Sequence, residues 1–348
     1  MKKIPLISFI VGFTALALTG AFAQSREVPE VPEAPILQLL GTFDYPGTGN
    51  QTRPQKISDN FAVVGIFVDP SGVSRGFIMF SDGTFSMPIV DPNDTGNVTE
   101  GRGINNSQLV CGDYLDATSG TFHGFFFSNN TFQNYDVPDS TTTIVLGLNN
   151  IGDFAGSATP TGGIQEAFLN IGGTVTEFAV TDATATLAYQ LNANNQSCGY
   201  YIDSSGVTTH GFWRDTDGTI HAPIDPVGST GTILFGNTVL RHNPRRRHDL
   251  NIMVGRYTDA AGATHGILFS PQQGFVVYDF PGATFTSLNG INERGVVVGR
   301  YTDSSGIDHG ILLKVQNGSS AGVMLPLAPP SAPAQASPER AVATEPAY

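Results

Sequence analysis

Residues 291–314 read INERGVVVGRYTDSSGIDHGILLK. Val296 to Asp303 is apolar and β-branched enough for a strand, Ser304-Ser305-Gly306 is a turn, and His309-Gly310 opens a second apolar run. An Asp before the turn and a Gly free to take positive φ at its end suit a hairpin with a bulge. The stretch therefore predicts a strand, a tight turn and a return strand.

The same pattern recurs. Aligning on the glycine that follows a small apolar residue picks out Gly65, Gly112, Gly156, Gly199, Gly255 and Gly299, at spacings of 47, 44, 43, 56 and 44. A period of about 45 residues holding several short strands fits a propeller blade and is too long for one coil of a β-helix. Each unit predicts four strands. The first ends in an Asn-rich turn (Gly103-Ile104-Asn105, Gly147-Leu148-Asn149, Gly290-Ile291-Asn292), and the second carries the repeat glycine. The third opens on His-Gly, and the fourth leaves through Asp-x-Pro, as in Tyr135-Asp136-Val137-Pro138. Proline stops that last strand because it has no N–H for the ladder. Units fall near 49–94, 95–137, 138–180, 181–225, 226–282 and 283–314. The last lacks a fourth strand, yet Gly41 to Gly47 (GTFDYPG) matches the missing piece. The expected fold is an all-β, six-bladed β-propeller over residues 36–316, with four-stranded antiparallel blades and the last blade closed by the N-terminal strand, which removes two open edges.

The flanks read differently. Residues 1–23 have Lys2 and Lys3, an apolar run and Ala21-Phe22-Ala23, the order of a secretory signal peptide. Residues 24–35 form an arm, and 317–348 a Pro- and Ala-rich tail expected to be disordered. The chain is thus expected to be secreted or periplasmic, with no membrane span once the signal is removed. A formal net charge of −13 argues against a nucleic-acid partner, which needs clustered positive charge. Cys111 and Cys198 both sit just before a repeat glycine, where other units carry Val64, Ala155, Val254 and Val298. That makes them fillers of a small apolar slot rather than a disulfide.

The pattern G-I-N-x-x-G-x-V-V-G-x-Y-x-D-x-x-G-x-x-H-G-[FI] resembles the HAF-repeat family of bacterial extracellular proteins. The resemblance covers roughly residues 41–314, is strongest in the fifth and sixth units, and is weakest in the third, where Pro160 and Glu166-Ala167 replace the turn Asp and His-Gly. It implies a secreted propeller-like repeat protein and brings no catalytic residues.

Several constellations are candidates for chemistry. His123, His210, His265 and His309 share one repeat position. A ring of imidazoles around a metal is the tempting reading, but a residue repeated once per blade is better explained by cross-strand packing, here His309 opposite Tyr301. The repeated turn Asp lacks the ligand density of a calcium loop and caps its own turn. Asp113, Asp153, Glu166 and Glu293 break the repeat and are candidates to line the channel. The most individual feature is a basic insertion in the fifth unit, Arg241, His242, Arg245, Arg246, Arg247 and His248, a candidate anion-binding loop. Tyr200, Tyr201 and Trp213 are candidates for stacking on glycan rings. No cofactor is expected. The functional expectation is a non-enzymatic binding or scaffold module for an extracellular or cell-envelope glycan or protein. The alternatives are a channel-centred polysaccharide lyase or hydrolase, and a subunit of a surface assembly.

Overall fold

The structure is a computed structural model that describes residues 35–240, 249–317, 324–325 and 340–342. In chain order the strands are β1 (Pro35–Phe43), β2 (Gln51–Ile57), β3 (Val63–Val68), β4 (Ser74–Met79), β5 (Thr99–Ile104), β6 (Val110–Asp116), β7 (Thr121–Ser128) and β8 (Thr131–Tyr135). Then come β9 (Ser140–Leu148), β10 (Phe154–Pro160), β11 (Glu166–Ile171), β12 (Thr174–Phe178), β13 (Ala185–Leu191), β14 (Ser197–Ile202), β15 (Thr209–Arg214) and β16 (Ile220–Ile224). The remainder are β17 (Gly231–Leu240), β18 (Leu250–Thr258), β19 (Thr264–Ser270), β20 (Gly274–Tyr278), β21 (Phe285–Ile291), β22 (Val296–Thr302), β23 (Asp308–Asn317), β24 (Met324–Leu325) and β25 (Arg340–Val342).

The described residues are all-β with no helix, and their small antiparallel sheets make a propeller-like ring. The inner side of each sheet meets its neighbour in order: β3 lies against β5, β6 against β9, β10 against β13, β14 against β17 and β18 against β21, while β22 returns to β2.

The expectation of six separate four-stranded sheets needs correction. Hydrogen bonding gives four small sheets, of three (β2–β4), four (β5–β8), five (β9–β12 with β25) and four strands (β13–β16). The other strands join in one nine-stranded sheet, because a single parallel bridge, Thr264 to Phe285, links β19 to β21. Within it β1 lies antiparallel to β23, from Pro35 opposite Asn317 to Phe43 opposite Gly310. The first sheet lacks its fourth strand: isolated antiparallel bridges at Phe85 and Ile89 stand in its place beside β4. Pro88 has no N–H to extend the ladder there, and the Ser86 hydroxyl accepts from the Ile78 N–H instead. The tail, expected to be disordered, adds β24 to β20 and β25 to β12. Both hosts are outermost strands whose unpaired edges accept another strand. The signal segment and the arm up to residue 34 lie outside the described residues.

Two side-chain devices explain the repeat signature. The turn Asn is both acceptor and donor, which an Asp could not be. Asn292 Oδ1 accepts from the Arg294 and Val296 N–H groups while its amide donates to Ser58 O at 2.9 Å; Asn105 and Asn149 act likewise toward Asn149 O and Asn192 O. Each turn is thereby capped and tied to the next. The second device is a buried Thr near the start of five of the six first strands that accepts an N–H from the preceding segment: Thr99 from Asp91, Thr143 from Val137, Thr186 from Val180, Thr286 from Phe280 and Thr52 from Tyr45, all at 2.9–3.1 Å, whereas the buried Thr232 hydroxyl of β17 has no partner among the described residues.

Every first strand also carries a register shift of one residue, and the extra residues are Gln55, Arg102, Leu146, Tyr189, Phe235 and Asn289. A bulge bends the strand and re-aims its side chain, a common device beside functional sites.

Candidate functional site

The bulged residues and their neighbours converge at the centre of the ring. Lys56, 5% exposed, reaches from β2 to donate to the carbonyls of Phe235 on β17 and, at 3.1 Å, Asn289 on β21. Its Nζ also lies 5.8 Å from the ring centre of Tyr189 on β13, across the axis. Glycines make this convergence close: a Cβ on Gly290 would sit 2.8 Å from Gln55 O, and one on Gly147 2.5 Å from Tyr189 O. Burial lowers the Lys56 ammonium to about 8.

Around it lies a belt of charge and aromatic rings drawn from several units. Arg102 pairs with Glu100 and, at 2.8 Å, with Asp113, whose side chain is fully buried. Burial pushes the Asp113 carboxyl up to about 6 against the pull of the Arg102 guanidinium. Arg53 and Arg300 share Asp308, each at 2.7 Å. Tyr189 packs at 5.9 Å from Tyr200 and 5.0 Å from Phe235. Arg256 lies between Phe235 and Phe285, 5.3 and 5.4 Å from their centres.

One face of the ring holds a cavity of about 540 Å³. The Asn turns surround it, with Asn149, Asn192, Asn194, Asn237 and Glu293 in its wall and Gln190 in its lining. Gln190 Oε1 and Asn237 Oδ1 are buried and accept no hydrogen bond from the described residues. A buried amide oxygen left without a donor is costly, so both positions favour a water or a ligand hydroxyl.

The repeated histidines stand away from this centre. Each stacks on a tyrosine of the neighbouring strand, at 5.5 Å for Tyr114–His123, 5.2 Å for Tyr201–His210 and 4.9 Å for both Tyr257–His265 and Tyr301–His309. Each also meets a carboxylate beyond the third strand: Asp136, Asp225, Asp279 and Asp44 respectively, within 2.6–3.0 Å of Nδ1. His210, His265 and His309 reach back on the other nitrogen to the turn carboxylates Asp203, Asp259 and Asp303. In the first unit Arg75 occupies the position and bonds Asp69. No group of three or more His, Cys, Asp or Glu side chains able to hold a metal occurs among the described residues.

For His309, burial works against the charged ring, but Asp44 and Asp303 outweigh it and raise its pKa. A raised value gives stability that is complete below the ordinary histidine range and is lost as pH rises through the folded-state value. His309→Gln is expected to lower the melting temperature more at pH 5.5 than at pH 8.5; equal losses at both would show that protonation contributes nothing.

Other sequence candidates are dispersed. Tyr200 belongs to the axial belt, Tyr201 is 8% exposed in the core, and Trp213 stacks on His221 at 4.0 Å. The structure does not gather these three into one stacking platform. Asp113 is axial and Glu293 lines the cavity, whereas Asp153 accepts from the Gly172 N–H and Glu166 opens β11. Cys111 and Cys198 are free and fully buried, and burial pushes the Cys198 thiol up to about 12. The candidate anion-binding loop, Arg241, His242, Arg245, Arg246, Arg247 and His248, lies outside the described residues; its flanks Leu240 and Asp249 line the cavity. The axial belt itself went unread in the sequence, since it is assembled from one or two residues of each unit. No protein-family model and no curated protein matches the chain.

Proposed function

We propose that the chain is a secreted, non-enzymatic β-propeller of the HAF-repeat kind that binds a hydroxyl-rich ligand, an extracellular or cell-envelope glycan, in the cavity among the Asn turns. The observation that carries this reading is the polar cavity of about 540 Å³ walled by the Asn turns, with Gln190 and Asn237, whose buried amide oxygens accept no hydrogen bond from the described residues, in its lining. Sugar hydroxyls supply the missing donors, and a concave site with a few fixed polar groups is the usual form of a small-ligand pocket.

In this reading the nine-stranded sheet is two blades joined by the Thr264–Phe285 bridge, giving six, with β1 as the outer strand of the last. Support comes from the Tyr45–Thr52 hydrogen bond, which repeats at the N-terminal segment the bond made to the next unit after β8, β12 and β20.

The test is retention of the purified mature protein on a panel of neutral glycans, with products assayed in parallel. The wild type should be retained on at least one class without cleaving it, and Gln190→Leu with Asn237→Ala should weaken binding at least about tenfold. Equal retention of a correctly folded double variant would move the site elsewhere. Release of shorter oligosaccharides would overturn the non-enzymatic part.

A further inference from the structure

We infer that the axial belt is a second site, separate from the Asn-turn cavity, which takes the carboxylate of a small acidic ligand on the guanidinium of Arg256. The belt holds four guanidinium groups, and three of them, Arg53, Arg102 and Arg300, pair with its three carboxylates, Glu100, Asp113 and Asp308. The three carboxylates are all engaged by the other arginines. Among the described residues Arg256 has no carboxylate within ion-pair distance and no hydrogen-bond acceptor. A half-buried guanidinium with no counter-charge is costly, and burial accordingly lowers its pKa.

Its surroundings fix how a ligand would approach. Phe235 and Phe285 pack against the guanidinium, which leaves its edge, with the forked N–H groups, as the surface for an oxyanion. Phe285 is shared with Arg300, 4.8 Å from the ring centre. The phenols of Tyr189 and Tyr200, whose rings lie 5.9 Å apart, both favour the charged form of Arg256 against the effect of burial. Hydroxyl donors and aromatic faces beside a fork of N–H groups fit a carboxylate carried on a sugar ring, such as a uronate.

The two sites lie at different depths. Arg256 is opposite Ile233 on β17, whereas the cavity begins at Asn237 on the same strand, about 13 Å further along at the usual rise per residue. The Lys56 ammonium, bonded to the carbonyl of the intervening Phe235, stands between them.

The experiment is calorimetric titration and thermal melting with galacturonate, acetate, inorganic phosphate and glucose, on wild type, Arg256→Lys and Tyr200→Phe. Wild type should bind galacturonate and be stabilised by it, with no response to glucose at this site. Arg256→Lys keeps the charge but loses the fork and should bind at least about tenfold more weakly; Tyr200→Phe should bind severalfold more weakly. Galacturonate binding tighter than acetate supports a sugar-borne carboxylate. Acetate or phosphate binding as tightly, and lost in Arg256→Lys, supports an oxyanion site without the sugar. No anion binding to the wild type, or equal binding by a folded Arg256→Lys, overturns the inference. Neutral-glycan retention by Arg256→Lys tests the cavity separately, so either site can fail without the other.

Discussion

Alanine at Gly199 is expected to lower the free energy of unfolding by more than about 3 kcal/mol, or to prevent folding. The bulge in β13 brings the Leu187 carbonyl over this glycine, so that a Cβ would lie 1.8 Å from the oxygen and 3.0 Å from the Phe212 ring. Neither neighbour can move: the carbonyl is part of a ladder, and Phe212 is fully buried. Gly206 supplies the control in the same sheet. It has φ +74 but open space around it, so alanine there meets only backbone strain of about 1–2 kcal/mol. Urea unfolding of the two variants measures the contrast. A Gly199→Ala protein within about 1 kcal/mol of wild type would mean that the bulge relaxes.

Arg102→Met is expected to cost about 3–5 kcal/mol near neutral pH, the usual result of removing one partner from a buried ion pair. It leaves Asp113, 0% exposed, beside Glu100 with no cation between them. The loss should have a pH signature. Burial already raises the Asp113 carboxyl to about 6, and without Arg102 it rises further. The folded variant then holds a proton that the unfolded chain releases near the ordinary carboxylate value. Its stability should therefore rise relative to wild type as pH falls from 7 toward 5. A deficit that stays constant from pH 7 to 5 would locate the damage in packing instead of in the stranded carboxylates.

These two positions differ in how far the sequence announces them. Gly199 is visible at once, because the same glycine recurs in every unit and the bulge it accommodates recurs with it. The hairpin was equally legible: an Asp, a turn and a Gly put Tyr301 opposite His309. Local chemistry at one residue misled in two places. Pro88 stops the fourth strand of the first unit, and one bridge at Thr264 fuses sheets that the repeat treats as separate. The axial belt was hidden for another reason. Arg102 is a bulged residue, while Asp113, Tyr200, Arg256 and Arg300 each follow a repeat glycine, a position the repeat leaves free to vary. Charged and aromatic residues alternating there with Ile66 and Ser157 were the available signal, and only the ring shows that they meet.

The pairing of β1 with β23 has a consequence for the order of assembly. His309 and Asp44 touch across 265 residues, and bringing such distant segments together costs about 5 kcal/mol of chain entropy by the logarithmic loop law. As the chain is synthesised, Pro35–Phe43 emerges before β2–β22 and its partner β23 only after them. The earliest strand waits unpaired while the rest of the ring is made, and its waiting edge, with Leu39 and Leu40 exposed even in the finished fold, is where a stalled chain would find another copy of itself.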